Sequence, residues 1–319
     1  MKVFNEETIK NTYKMSNAMH DIEQLFKNMD GISQAQRIVI PTGDGAKSML
    51  YMPCVHTEWE RGMIKITSIT PDNPQHQRPT TQATIIITDL KTGEHVASID
   101  GSYLTRLRTG ALSGLATQYL SRENASTLGM IGTGGMAFEQ LLANLEVRPI
   151  KNVLLYNRTT SKAESFKKRV ADAFPDLSIT VVEDVDTLTK QADIINCQTQ
   201  SADPVFDAQN IQPGTHINGI GSYRPDMKEL DNRILPKADK VFFDDIEGVK
   251  EEAGEFIEAN EKGLFKFEDV DGDLKDLSLN GTIQRSHDDS ITVFKCVGTA
   301  YFDLAVALGA YDRLMADSH

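Results

Sequence analysis

The sequence contains few cysteines and no long apolar segment. Three of its 319 residues are cysteine (Cys54, Cys197 and Cys296), and their spacing matches no metal-binding motif. A scattered, odd-numbered set argues against a disulfide-stapled secreted domain and is typical of reduced thiols in the cytoplasm. No stretch approaches the roughly 18 consecutive apolar residues of a transmembrane helix, and residues 1–15 lack the apolar core of a signal peptide. We therefore expect a soluble cytoplasmic protein without a membrane span or a metal site.

Positive charge is also scarce, because 33 lysines and arginines stand against 46 acidic residues and the formal net charge is −13. This balance argues against nucleic acid or an anionic membrane surface as the main partner. A small anionic ligand would need arginines and lysines at its binding site, so basic residues near a candidate site are candidate ligand contacts. The chain is long enough for two domains, each with its own core.

The first third of the chain has the pattern of a separate α+β domain. Apolar residues recur at helical spacing over Glu6–Met29, with Gly31 as a stop signal. Strand-like runs separated by turn-forming residues follow at Arg37–Ile40, Lys47–Met52, Gly62–Ile69, Thr81–Asp89 and His95–Asp100. A hairpin turn predicted at Lys91-Thr92-Gly93 indicates a mostly antiparallel sheet. Thr105–Leu120, rich in small residues, is expected to be the helix that follows.

Residues 128–159 have the order strand, glycine turn, helix, strand that is typical of a dinucleotide-binding unit. An apolar run leads into Gly132-Thr133-Gly134-Gly135-Met136-Ala137, and a helical pattern follows. Gly132 permits the tight turn, Gly134 lets the backbone approach a pyrophosphate, and Ala137 lets the helix pack closely on the sheet. The helix N-terminus offers unpaired N–H groups to the phosphates.

Strands and helices alternate after this unit, as in a doubly wound parallel sheet. The predicted strands are Val153–Tyr156, Ile179–Val182, Asp193–Cys197, Thr215–Gly219 and Lys240–Asp244. A strongly apolar helix is predicted at Gly298–Met315. The expected fold class is α/β, with a Rossmann dinucleotide-binding domain preceded by the α+β domain.

The tip of the second strand of the motif indicates which dinucleotide is bound. A carboxylate there would repel a 2′-phosphate, but the chain has Asn157, Arg158 and Thr159, with Lys162 a turn later. Arginine offers a planar, permanently charged fork suited to phosphate. We therefore expect these residues to bind NADP(H) in preference to NAD(H). The alternative is a solvated turn in which Thr159 or Thr160 caps the next helix.

Several strings, in their order and separations, resemble the ornithine cyclodeaminase/mu-crystallin family. They are Arg37 and Lys65, Leu107-Arg108-Thr109-Gly110-Ala111, the glycine turn, Pro225-Asp226-Met227-Lys228-Glu229-Leu230 and Val293-Phe294-Lys295-Cys296-Val297-Gly298. The resemblance implies homodimers and chemistry at an amino-acid Cα–N bond. It also implies a substrate-binding and dimerisation domain of residues 1–120 with 299–319, and a Rossmann domain of residues 121–298.

The resemblance implies that Arg37 and Arg108 hold a substrate carboxylate, a task suited to the bidentate arginine fork. The alternative for each is a surface ion pair. Lys65 interrupts an apolar strand, so it is either an outward-facing residue or a partly buried amine whose lowered pKa lets it act as acid or base. We predict Lys65 and Arg108 as catalytic residues, with Lys65 beside the substrate as proton donor or hydrogen-bond partner.

Further contacts are expected outside the glycine turn. Thr109, Met136, Thr199, Gly219 and Gly221 are predicted to touch the cofactor, with ordinary loop geometry as the alternative for the glycines. Gly135 is expected to act with the other glycines of the turn. Weaker candidates near the site are Thr80 and Gly298.

One position departs from the cyclodeaminases and the related alanine dehydrogenases, which have a catalytic aspartate where this chain has Tyr223. Tyrosine, with an ordinary pKa near ~10, is a poor base at neutral pH. The string Gly221-Ser222-Tyr223-Arg224-Pro225 is more similar to the mu-crystallin-like ketimine reductases. Arg224 would add a third positive group near the substrate carboxylate, and Asp226 is the alternative base.

These features favour an NADPH-dependent reductase of small α-imino acids such as cyclic five- or six-membered ketimine carboxylates. Reduction needs a hydride, a proton and orientation, so it tolerates loss of the aspartate. Ornithine cyclodeaminase, in which bound NAD+ accepts and returns one hydride, and an alanine-type dehydrogenase are the alternatives that Tyr223 disfavours. A non-catalytic protein that holds NADPH and a carboxylate ligand is the remaining hypothesis.

Overall fold

The computed structural model describes residues 1–42 and 47–317. Its contacts divide the chain into two compact units, each described by itself below. The first unit comprises Met1–Arg108 and Thr299–His319, and the second unit comprises Thr109–Gly298.

The elements are numbered in chain order within the described ranges. The strands are β1 Lys2–Phe4, β2 Ile32–Gln34, β3 Ile38–Thr42, β4 Lys47–His56, β5 Arg61–Ile69, β6 Thr81–Asp89, β7 His95–Asp100, β8 Thr127–Ile131, β9 Asn152–Tyr156, β10 Ser178–Val181, β11 Ile194–Cys197, β12 His216–Gly219, β13 Lys240–Phe243, β14 Gly272–Asp273 and β15 Thr292–Lys295. The α-helices are α1 Glu6–Thr12, α2 Met15–Phe26, α3 Gly101–Leu120, α4 Ala137–Val147, α5 Thr160–Ala173, α6 Val185–Gln191, α7 Ile246–Glu252, α8 Gly254–Glu261, α9 Leu274–Asn280 and α10 Ala300–Ala316. Over the described residues, no helix is both long and apolar enough to span a membrane.

The first unit contains a mostly antiparallel sheet in the order β1-β7-β6-β5-β4-β2, with β3 also paired to β4. The edge strand β1 joins β7 in parallel. Gly93, with φ of 74°, lies in the turn between β6 and β7, so the predicted hairpin is confirmed. Along β5, Met63, Lys65 and Thr67 alternate onto one buried face, and α10 packs on β4 and β5.

The prediction of a single helix over Glu6–Met29 is wrong, because the structure has two helices, α1 and α2, with a break between them. The Asn17 side chain accepts a hydrogen bond from the backbone N–H of Lys14 at 2.9 Å, which starts a new helix there. Ile9 in α1 and Ile22 in α2 are both fully buried. The apolar periodicity therefore continues across a break that it does not reveal.

The second unit contains a parallel sheet in the order β10-β9-β8-β11-β12-β15-β13-β14. This is the doubly wound Rossmann arrangement predicted from the sequence. The strand order reverses between β8 and β11, and ligands of such sheets bind outside the carboxyl ends of the strands at that point.

The strand β15 was not predicted, although it lies between β12 and β13 in this sheet. All four of its residues are buried, including Lys295 at its carboxyl end. A short run that contains a lysine gives no clear strand signal in the sequence, and its place in the sheet is decided by long-range pairing.

The two units divide inside α3, whereas the sequence suggested a boundary at residue 120. The second half of α3 is bound to the second unit: the Ser113 hydroxyl donates a hydrogen bond to the Gln140 side chain of α4. A Cβ added at Gly114 would lie 3.0 Å from the Cβ of Ala143. The small residues of α3 thus allow close helix packing, and this packing moves the division toward the helix start.

Candidate functional site

The first unit holds a buried cluster of two cations and one carboxylate. Lys65 is 3% exposed and donates a hydrogen bond from Nζ to Asp303 Oδ2 at 2.6 Å. Arg108, also buried, donates from Nε to Asp303 Oδ1 at 3.2 Å. Two buried cations thus share one buried carboxylate, an arrangement in which each charge is paired inside the protein.

Three elements bring this cluster together. Lys65 points inward from the centre of β5, paired with Met52 of β4 and Ile85 of β6. Arg108 extends from α3, and Asp303 lies in the first turn of the buried helix α10. Sequence reasoning missed Asp303, although a single carboxylate in the otherwise apolar start of that helix was a usable signal.

Burial, aided by the charges of Arg108 and Arg37 and opposed by Asp303, lowers the pKa of Lys65 to about 8. The structure therefore brings three of the four cations predicted for the substrate site, Arg37, Lys65 and Arg108, into one electrostatic neighbourhood, whereas Arg224 pairs with Asp226. Burial raises the pKa of Asp303, but Lys65 and Arg108 outweigh it and hold that pKa below the ordinary value. Asp303 is thus ionised at neutral pH, and Lys65 titrates just above it.

The glycine turn of the second unit has the geometry that its sequence predicts. Gly132 has φ of 96°, and a Cβ there would lie 2.9 Å from Thr199 Cγ2. The Gly132 carbonyl accepts a hydrogen bond from Gln198 Nε2 at 2.6 Å. At Gly134 and Gly135, which are exposed, an added Cβ would meet no atom within 4 Å. These two glycines are therefore not required by packing.

The residues around this turn fit a dinucleotide. Among the described residues, the buried oxygens Thr133 Oγ1 and Gln198 Oε1 have no hydrogen-bond partner. The turn leads directly into α4, and Met136, the N-cap residue before this helix, makes no side-chain cap. Unpaired N–H groups, a clear approach over two glycines and orphaned polar atoms together suit a pyrophosphate.

Asn157 is bound within the protein. Its Oδ1 accepts the backbone N–H of Thr133 at 3.1 Å, and its Nδ2 donates to the Thr159 carbonyl at 3.0 Å. Asn157 thus fastens the glycine turn to the strand tip. Arg158 and Lys162 are exposed, and neither forms an ion pair with any residue in the described ranges.

Gly219 and Gly221, predicted as cofactor contacts, are both needed for packing. A Cβ at Gly219 would lie 2.8 Å from Leu230 Cδ1, and one at Gly221 would lie 2.1 Å from the Thr199 carbonyl oxygen. Thr199 itself donates its N–H at 2.7 Å and its hydroxyl at 3.1 Å to Glu229. Glu229 lies in one of the strings that carry the family resemblance, but sequence reasoning assigned it no role.

The loop after β12 pairs Arg224 with Asp226. Arg224 is exposed and donates from Nε to Asp226 Oδ1 at 2.9 Å. The hydrogen bond from Arg224 lowers the pKa of Asp226, so this carboxylate is a weak base and a poor replacement for the family's aspartate. Tyr223 is half-buried and packs against the core of the second unit.

The remaining candidates are placed as follows. Thr109 is buried and Thr80 half-buried. Gly298 has φ of 79° and donates its N–H to Asp244 Oδ2 at 2.7 Å. Among the described residues, no group of three or more His, Cys, Asp or Glu side chains could hold a metal ion.

The Rossmann unit and the buried cationic cluster define the chain as a member of the dinucleotide-dependent enzymes. It belongs to the ornithine cyclodeaminase/mu-crystallin family, whose model matches residues 2–318. Its relatives in the ketimine reductase branch are oxidoreductases that act on the C=N bonds of imino acids.

Three similar proteins illustrate this membership. Delta(1)-pyrroline-2-carboxylate reductase of Bacillus cereus is 37% identical over 276 residues, which cover 86% of this chain and 84% of that protein. The structure of Thermococcus litoralis Delta(1)-pyrroline-2-carboxylate reductase in complex with NADH and L-proline matches with a TM-score of 0.94 at 30% identity, covering 100% of this chain and 98% of that one. An archaeal alanine dehydrogenase dimer with bound NAD matches with a TM-score of 0.90 at 30% identity, covering 100% and 97%.

Proposed function

We propose that this protein is an NADPH-preferring reductase of cyclic α-imino acids, with Delta(1)-pyrroline-2-carboxylate and its six-membered homologue as substrates. The observation that carries the proposal is the buried cluster in which Lys65 and Arg108 share Asp303, with a lysine whose pKa is about 8. The similar reductases from Bacillus cereus and Thermococcus litoralis support the same substrate class.

The arginines of this neighbourhood would bind the substrate carboxylate. Arg37 and Arg108 would bind this group, since charge-assisted bonds from arginine contribute roughly 1.5–3 kcal/mol each. Asp303 fixes the direction of the Arg108 side chain through its Nε–H. The carboxylate would thereby be held in one orientation relative to the imine.

Lys65 supplies the proton. Its ammonium group, with a pKa of about 8, is largely protonated at neutral pH and still acidic enough to donate to the imine nitrogen. The C=N carbon accepts the hydride, the nitrogen keeps the Lys65 proton, and the product is the cyclic amino acid. Lys65 then regains a proton from water.

A nicotinamide dinucleotide, when bound, supplies the hydride. Gly132, Gly134, Gly135 and the first turn of α4 would hold its pyrophosphate. Arg158 and Lys162, exposed and without ion pairs in the described ranges, would bind the 2′-phosphate of NADPH. Comparison of the dissociation constants of NADPH and NADH tests this preference, and tighter binding of NADH contradicts it.

The direct test of the activity is loss of reduced-nicotinamide absorbance when a cyclic ketimine carboxylate is added. We expect turnover with the five- and six-membered rings and none without substrate. If no ring size is reduced but ornithine releases ammonia without net cofactor consumption, the protein is a cyclodeaminase. The pairing of Asp226 with Arg224 speaks against that outcome, because it removes the remaining candidate base near Tyr223.

The protein is also proposed to form a homodimer, as the similar alanine dehydrogenase does. Ile38, Val39 and Ile40 of β3 are 51%, 53% and 49% exposed, which is unusual for three consecutive apolar residues of a strand. Light scattering should give a dimer for the wild type and a monomer for Val39→Lys. A monomeric wild type contradicts the proposal.

The three buried free cysteines support the expected cytoplasmic location.

A further inference from the structure

Glu229 joins the two loops that follow adjacent strands of the Rossmann sheet. It is fully buried, and its two carboxylate oxygens serve different loops. Oε2 accepts the N–H of Thr199, which follows β11, at 2.7 Å. Oε1 accepts the N–H groups of Gly221 and Ser222, which follow β12, the latter at 3.2 Å.

These loops lie where a dinucleotide is expected to bind. β11 and β12 are parallel neighbours, and β11 borders the point where the strand order reverses. A Cβ at Gly221 would lie 2.1 Å from the Thr199 carbonyl oxygen, so the two loops are in direct contact and cannot be adjusted independently. A group that fixes one loop against the other therefore sets the shape of this edge of the sheet.

The charges around Glu229 do not balance. Lys295, at the carboxyl end of β15, donates to the Ser222 carbonyl at 2.7 Å and to Glu255 Oε1 at 2.9 Å. Ser222 Oγ also donates to Glu255, at 2.8 Å. The groups that face Glu229 are Lys295, Glu255 and the thiol of Cys197. One buried lysine thus stands against two buried carboxylates.

Burial and this imbalance make Glu229 sensitive to pH. Burial, aided by the charge of Glu255 and opposed by Lys295 and the backbone N–H groups, raises the pKa of Glu229 to about 7. When Glu229 is protonated, one oxygen becomes an O–H donor that faces N–H donors. The bonds to one of the two loops are then lost.

We propose that Glu229 is a positioning residue that, as a carboxylate, holds the loops after β11 and β12 in the arrangement that binds the nicotinamide dinucleotide. This inference rests on the cofactor use proposed above. Glu229 acts through the backbone of Thr199 and Gly221 and does not itself touch the cofactor.

The test is the dissociation constant of NADH, without substrate, from about pH 6 to about pH 8.5, followed by fluorescence. NADH is the probe because it lacks the 2′-phosphate, a phosphate monoester that titrates near pH ~6. For the wild type we expect binding to tighten about tenfold as the pH rises through 7, which corresponds to one charge-assisted hydrogen bond. Equal affinity across the range overturns the inference while leaving the proposed activity intact.

Two variants separate positioning from a merely structural role. Glu229→Gln offers one oxygen and sets an NH2 group against N–H donors, so we expect weak binding that does not change with pH. Glu255→Gln is the matched control, since Glu255 is in the same cluster but accepts no backbone N–H from either loop. It should keep the pH dependence and move its midpoint to lower pH, because removal of its negative charge lowers the pKa of Glu229.

The possible outcomes can be distinguished. If Glu229→Gln binds NADH with the affinity and pH profile of the wild type, the inference is overturned. If Glu229→Gln does not fold, Glu255→Gln decides, and an unmoved midpoint overturns it. Failure of the wild type to bind either NADH or NADPH overturns both this inference and the proposed function.

Discussion

Lys65 Nζ lies 2.6 Å from Asp303 Oδ2, although the two residues are 238 positions apart in the chain. Neither has meaningful exposure to solvent. Removal of a charged amine from water favours its neutral form, and the carboxylate partly restores the ammonium. The pair therefore sets the pH range in which Lys65 can donate a proton.

Loss of the Asp303 charge should shift the pH profile of the enzyme. Activity that needs the Lys65 ammonium falls as the pH rises through about 8. In Asp303→Asn nothing opposes the desolvation of Lys65, so the pKa of Lys65 drops. The fall in activity at high pH (the high-pH limb of the profile) should therefore move at least about one pH unit lower. Asp303→Glu keeps the charge and should keep the limb near its original place. The measurement is kcat/KM against pH, and a limb unmoved in Asp303→Asn contradicts this role.

Replacement of Lys65 itself should reduce turnover while sparing the cofactor. Lys65→Met removes the proton donor but leaves Asp303 paired with Arg108, so the protein should still fold. We expect kcat to fall by roughly 10²- to 10⁴-fold, the usual contribution of general acid catalysis, with an unchanged dissociation constant for NADPH. Lys91→Met, at an exposed lysine of the same unit, is the control. Turnover close to that of the control would require another proton donor.

The cofactor preference should depend on Arg158. Arg158→Ala should weaken NADPH binding by about 10- to 100-fold, the equivalent of one charge-assisted bond, and leave NADH binding unchanged. Lys168→Ala, at an exposed lysine further along α5, should affect neither cofactor. Titration by nicotinamide fluorescence gives both constants. Equal losses for NADPH and NADH would place Arg158 at the adenosine, and no loss for either cofactor would place it outside the site.

Two glycine substitutions should separate binding from stability. A Cβ at Gly134 meets no atom, so Gly134→Ala should keep the thermal midpoint of the wild type and weaken cofactor binding. A Cβ at Gly219 meets Leu230, so Gly219→Ala should lower the free energy of unfolding by about 1–3 kcal/mol. Thermal unfolding and cofactor titration of both variants make the comparison. Undiminished binding in Gly134→Ala would argue against a pyrophosphate at this turn.

Local patterns were sufficient to predict much of the Rossmann unit, because glycine turns and buried parallel strands are encoded by neighbouring residues. The same is true of the hairpin at Gly93. The break between α1 and α2 is marked by local hydrogen bonds such as that from the Lys14 N–H to the Asn17 side chain. The apolar periodicity continues across the break and therefore hides it.

The sequence was sufficient to predict the cationic residues of the candidate site, but not the carboxylates that contact them or hold the neighbouring loops. Lys65, Arg37 and Arg108 could be proposed from a resemblance and from the chemistry of carboxylate binding. The roles of Asp303 and Glu229 could not, since each acts by facing groups that are distant in sequence or in another loop, even though the lone carboxylate at the start of α10 marked Asp303 as a candidate. Asn157 shows the converse, because a polar residue expected to face a ligand is bound to the protein backbone.

The position of β15 has a consequence for synthesis of the chain. β13 and β14 are made earlier, yet β13 pairs with β15, which also pairs with β12. Until residues 292–295 leave the ribosome, the sheet has a gap, and β12 and β13 present open strand edges that invite pairing with other chains. A nascent chain that stalls before Thr292 is therefore a natural target for chaperones.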